Sequence, residues 1–187
     1  LGNLHPFVQS SVLDQMTNAS TLVILDTMNF WMDNALEPLI EVIKRVDVIT
    51  INDEEARQLT GEHSLVKAAQ KIHAMGPEYV VIKKGEHGAL LFNHSNVFCA
   101  PALPLESVFD PTGAGDTFAG GFAGFLAQSE NISFENMKKA VIYGSTLASF
   151  CVEKFGTERL ESLRPEEISD RLKAFKELTQ FEIELTN

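Results

Sequence analysis

Apolar residues follow two rhythms along this chain. Short, nearly continuous apolar runs closed by a polar residue read as buried strands. Three such runs are Thr21–Asp26 (TLVILD), Val46–Ile51 (VDVITI) and Tyr79–Lys83 (YVVIK). Between them the spacing turns helical. Leu36, Leu39, Ile40 and Ile43 share one face, and Pro38 is tolerated only in a first turn, so this helix starts near Leu36. Asn52–Thr60 reads as a helix stopped by Gly61, and Leu65–Met75 as another stopped by Gly76-Pro77.

After the third strand, Gly85 and Gly88 punctuate a tight turn into ALLFN at 89–93, and Asn93–Asn96 turns again into Val97–Ala100. These two runs predict an antiparallel hairpin. From Gly115 the chain reads as helical over about 115–128 and 134–154, with a final helix opened by Pro165 and acidic at Glu166 and Glu167. Phe118, Phe122 and Phe125 form a one-sided stripe, best read as core. Ala119, Gly120, Ala123, Gly124 and Ala127 are small, as are Gly144, Ser145, Ala148 and Ser149 on the next helix. Such stripes predict close helix packing, and where the helices diverge they leave room for a flat ring.

Strands alternating with helices predict an α/β fold: a mostly parallel sheet covered on both faces, with an antiparallel hairpin at its edge. No internal repeat or linker divides it, so residues 1–187 read as a single domain. Leu1-Gly2-Asn3-Leu4 reads like the end of a structured segment, which predicts an upstream portion. Ligands of such sheets bind beyond the carboxyl ends of the strands. Asp26, Asn52, Lys83 and Lys84 stand at those ends.

Composition narrows the function. With 15 Lys and Arg against 26 Asp and Glu, the formal net charge is -11, and no basic cluster interrupts the acidic background. A nucleic-acid groove and an anionic membrane surface are therefore not expected, and a polyanion such as ATP would need local positive potential or a divalent cation. Two cysteines make no disulfide framework, and no metal-ligand spacing is present. Without a membrane-length apolar run or a secretory leader, the default expectation is cytoplasmic.

Asp110-Pro111-Thr112-Gly113-Ala114-Gly115-Asp116-Thr117 carries the sharpest chemistry. Small residues let the amides of Gly113, Ala114 and Gly115 crowd an anion at a helix N-terminus, where the dipole also favours negative charge. A carboxylate beside such an anion hole, Asp116, can take a proton from an attacking hydroxyl. That pairing points to phosphoryl transfer. A glycine-rich turn into a helix, with Asp116 compensating the dipole, explains the same residues more plainly. The spacing fits neither a dinucleotide fingerprint nor a Walker loop.

Asn52-Asp53-Glu54-Glu55 admits two readings that do not exclude each other. One is a capping box. The other has Asn52 and Glu55 facing phosphates, directly or through water on Mg²⁺. In Lys83-Lys84-Gly85-Glu86-His87-Gly88, the glycines permit close approach to a nucleotide and a lysine can steady a phosphate. A solvated hairpin turn explains that segment equally well.

Taken together, Asn52-x-x-Glu55, Lys84-Gly85-x-x-Gly88 and Asp110-Pro-Thr-Gly-Ala-Gly-Asp116 resemble, in order, the motifs of the ribokinase-like (PfkB) carbohydrate kinase family. The resemblance covers nearly the whole chain but only the C-terminal part of a family member. It implies a three-layer α/β/α kinase moving the γ-phosphate of ATP to a sugar or nucleoside hydroxyl. Asp116 matches the base, and Gly113, Ala114 and Gly115 the anion hole. Asn52 and Glu55 match the Mg²⁺/phosphate motif, and Lys83, Lys84, Gly85 and Gly88 part of the nucleotide site. Asp110 and Thr112 match positions that hold a monovalent cation, such as K⁺, in some members. Ser145 falls near the nucleotide base, and Asp26 and Asn29 resemble a polar pair on the phosphate path.

Family members also carry an N-terminal half with most sugar contacts and a strand-built lid through which two copies pair. Neither is visible in this sequence. The competing expectations are a nucleotide- or sugar-binding regulator on the same fold, and a structural subunit completed by another chain. The second predicts exposed apolar surface.

Overall fold

The computed structural model describes residues 1–16, 22–129, 131–180 and 182. Five strands form one sheet in the order β1 (Ile24–Asp26), β2 (Val48–Asn52), β3 (Tyr79–Lys83), β4 (Ala89–Phe92), β5 (Val97–Ala100). The first three run parallel, and β4 and β5 add antiparallel beyond β3. The mostly parallel sheet and its edge hairpin are thus as expected. β1 is shorter than its apolar run, and Thr21 lies outside the described residues.

Alternation along the strands sorts the core into two layers. Leu25, Ile49, Ile51, Val80 and Ile82 point to one face. There they meet α1 (Pro6–Gln15), α2 (Asn29–Asn34), α3 (Leu36–Ile43), α4 (Asp53–Thr60) and α5 (Leu65–Met75). Val48, Tyr79, Val81, Ala89 and Leu91 point to the other, against α6 (Ala114–Gln128) and α7 (Phe134–Cys151). The result is three-layer α/β/α. Two further helices, α8 (Glu158–Glu161) and α9 (Pro165–Thr179), follow α7, and α9 docks on it through Arg171, which donates to Ser149 Oγ and lies over the Phe150 ring.

The same parity places the polar strand ends. Asp26 pairs in register with Thr50, and Asn52 with Lys83. Paired residues of parallel strands project to the same face, as do residues two apart, so all four face the α6 side. Neither α1 nor α2 is legible in the apolar pattern. In α1 Phe7, Val8 and Val12 are exposed, so its periodicity does not report its one buried face.

The expected small-residue contact between α6 and α7 forms, but on another face. Gly120 and Gly124 have open space around them, whereas a Cβ on Gly121 would lie 2.9 Å from Leu147 and 3.2 Å from Gly144. Gly121 shares its helical face with Phe118, Phe122 and Phe125, and that stripe turns toward the core. Phe118 and Phe122 are buried and Phe125 packs beside Tyr143.

Candidate active site

Beyond the carboxyl ends of β1, β2 and β3 lies a cleft of about 980 Å³. Its wall includes Gly113, Ala114, Gly115 and Asp116 from the start of α6, Asn52 and Glu55 from the start of α4, and Asp26 and Lys83 from strand ends. Gly85, Gly88 and Ser145 also line it. Eleven of the expected residues, separated by up to 119 positions in sequence (26 to 145), therefore share one cavity.

Four others do not line it. Lys84 uses its backbone to close the β3–β4 turn, its N–H donating to the Gly88 carbonyl at 2.7 Å. Asn29 is exposed at the start of α2, and its backbone rather than its side chain interacts with Glu55. Asp110 and Thr112 join each other, the Thr112 N–H donating to Asp110 Oδ1 at 2.9 Å, in a turn on the approach to α6. That bond holds the Asp110 carboxyl below its ordinary range.

The turn into α6 depends on Gly113, whose φ of +80° is a left-handed conformation that other residues rarely adopt. Its carbonyl accepts the first helical bond, from Thr117 at 2.9 Å. The three-amide anion hole needs a correction here. The Ala114 N–H is already committed to the Pro111 carbonyl at 3.2 Å. The N–H groups of Gly113, Gly115 and Asp116 have no acceptor among the described residues, so they are the donors left for an anion. The Asp116 side chain is exposed in the first turn, beside those amides.

At α4 the capping box forms in full. Asn52 Oδ1 accepts from the Glu55 N–H at 2.7 Å, and Glu55 Oε2 accepts from the Asn52 N–H at 2.9 Å. The second oxygen of Glu55 is not part of that exchange. Burial pushes the Glu55 carboxyl above its ordinary value, and nearby Asp26 pushes the same way. The Asn52 N–H, Lys83 and the Asn29 backbone oppose them. A carboxylate held where burial disfavours its charge is a natural partner for a cation.

Lys83 supplies the positive charge. Its Nζ donates to Asp26 Oδ1 at 2.7 Å, and both side chains are largely buried. The same ammonium lies 3.4 Å from where a Cβ on Gly115 would stand. Gly88 closes this side: at φ +85° a Cβ would lie 2.0 Å from the Ala100 carbonyl, so the turn packs backbone on backbone.

Apolar residues 102–105 and Val108 line the cleft, as do Ser145, Ala148 and Ser149 of α7. The 101–105 stretch (PALPL) had no assigned role in the sequence; its apolar, proline-punctuated composition just before the glycine loop was the available signal. Among the described residues no group of three or more His, Cys, Asp or Glu is arranged to hold a metal. One or two carboxylates with phosphate oxygens and water suit Mg²⁺, and Glu55 offers such an oxygen. No described helix is long and apolar enough to cross a membrane.

Comparison with known proteins gives the family and the fold. The model of the pfkB family carbohydrate kinases matches residues 4–163. Cytidine kinase of Thermococcus kodakarensis is 44% identical over 85 residues, covering 44% of this chain and 30% of that protein. Ribokinase of Thermotoga maritima superposes with a TM-score of 0.73 at 26% identity, covering 92% of this chain and 55% of the other. Aminoimidazole riboside kinase of Salmonella enterica, solved with aminoimidazole riboside and an ATP analogue, gives 0.74 at 23%, covering 87% and 56%, and shares the fold. The chain spans about a third of the length of the curated relatives it matches, and about half of these solved chains.

Proposed function

The chain belongs to the pfkB family of carbohydrate kinases, and we propose that it holds the phosphate-transfer centre of an ATP-dependent kinase acting on a sugar or nucleoside hydroxyl. The observation that carries this is the convergence of the Gly113–Asp116 turn, the Asn52/Glu55 helix start and Lys83 on one cleft. Relatives named cytidine kinase and ribokinase, and a fold neighbour solved with an ATP analogue and a riboside, support both halves of the reading.

In this mechanism the Asp116 carboxylate takes the proton of the substrate hydroxyl while its oxygen attacks the γ-phosphorus and ADP leaves. The Gly113, Gly115 and Asp116 amides and the Lys83 ammonium meet the charge on the transferring group. Asn52 and Glu55 would hold the phosphate side together with Mg²⁺, which when bound would neutralise charge on the phosphate oxygens. The apolar lining at 102–105, with Ser145, takes the nucleotide base. Asp26 faces the phosphate path, and the Asp110–Thr112 turn, whose Pro111 lines the cleft, is the place for a monovalent cation such as K⁺. The lid and most substrate contacts, with any pairing of two copies through that lid, belong to family segments outside the matched region.

The test is ADP release by the full-length protein with MgATP across a panel of sugars and nucleosides. Release dependent on one of these alcohols is the expected result. Tight MgATP binding with no alcohol-dependent release would replace the kinase by a nucleotide-binding regulator on the same fold.

A further inference from the structure

Thr50 is fully buried, at 0% exposure, on a sheet face whose neighbouring positions are Val48 and Val81. A hydroxyl in such a place needs a partner, and valine would fill the same volume without one. Thr50 Oγ1 donates to Asp26 Oδ1, its nearer acceptor, with the Leu25 carbonyl at 3.5 Å. The same Asp26 oxygen accepts from Lys83 Nζ at 2.7 Å. Lys83 in turn stands against Gly115, at the free amides of α6. The centre of β2 and the ends of β1 and β3 thus form one chain of contacts from the middle of the sheet to the helix N-terminus.

We propose that Thr50 is a positioning residue for the nucleotide phosphates: its hydroxyl fixes the Asp26 carboxylate, which holds the Lys83 ammonium at the Gly115 turn. This inference rests on the kinase reading. Lys83 has a long, flexible stem, and anchoring it before the nucleotide arrives removes ordering that binding would otherwise have to supply. With Thr50 replaced by valine, the carboxylate loses its fixed partner and the Asp26–Lys83 pair can swing together. The apolar core around position 50 is unchanged by that substitution.

The experiment compares wild type, Thr50→Val and Thr50→Ser in the full-length protein by calorimetric titration with MgATP and with AMP. T50V is expected to bind MgATP about tenfold more weakly, the scale of one hydrogen bond to a charged group. AMP, which lacks the terminal phosphates, should bind all three alike, and T50S should restore MgATP binding. A purely structural defect would weaken both ligands together. Asp26→Asn should reproduce the loss, and the T50V/D26N double variant should be no worse than D26N alone. MgATP binding by T50V equal to wild type, or full additivity in the double variant, overturns the inference and leaves the kinase reading standing. Wild type that binds no MgATP overturns both. Thr50→Ala decides the question in the same way if the valine variant does not fold.

Discussion

Asp116→Asn separates chemistry from architecture most cleanly. The side chain is exposed in the first turn of α6, and its structural contribution is the favourable placement of a negative charge at a helix N-terminus. Such placement contributes about 0.3–1 kcal/mol. For a chain of this size 1 kcal/mol moves Tm by about 2–4 °C, so the variant should melt no more than about 4 °C below wild type. Loss of a positioned base costs ~10²–10⁴ in rate, equivalent to about 3–5 kcal/mol of barrier. The kinetic effect therefore exceeds the structural one several-fold. Asn keeps the shape and leaves the Gly115 and Asp116 amides in place, so the KM for MgATP should stay within about threefold. The assay is coupled ADP production under saturating alcohol, with Tm measured on the same preparation. A kcat within about tenfold of wild type would remove Asp116 as the base. A fall in Tm beyond about 10 °C would recast it as structural.

Gly115→Val should act on binding. The new side chain extends from a Cβ already 3.4 Å from Lys83 Nζ, displaces the ammonium, and should raise the KM for MgATP at least about tenfold; near-normal kinetics would reduce the glycine loop to a plain turn. Glu55→Gln should raise Tm at pH 7. The folded-state pKa of Glu55 is raised, chiefly by burial, so its ionised form costs stability at neutral pH, and the cost disappears as pH falls through that raised value. Gln keeps an acceptor for the Asn52 N–H and removes the charge, so the Tm advantage over wild type should shrink on acidification while the Mg²⁺ requirement rises. A lower Tm at pH 7 would mean that the charged cap outweighs burial.

Much of the fold was legible because the strand runs are apolar on both faces and bounded by glycine, proline or caps. YVVIK and VDVITI read as buried strands since both layers press on them, and Asn52 with Glu55 announced its capping box through spacing alone. The loop Asp110–Asp116 was legible for a related reason. Only glycine at 113 suits the left-handed turn, so the backbone requirement is written into the residue. Helix α1 was not, because it leaves Phe7, Val8 and Val12 exposed and so shows no one-sided pattern.

Local sequence determined which residues could bind an anion, cap a helix or take a proton, because those capacities belong to side-chain chemistry and the nearest few positions. Tertiary structure alone decided which of them meet. Strand register carried Asp26, Thr50, Asn52 and Lys83 to one face, and the crossing of α6 with α7 at Gly121 and Gly144 set the helix start beneath them. It also left Lys84 at the turn and committed the Ala114 amide to Pro111, since a donor's availability depends on which acceptor the folded chain brings within reach.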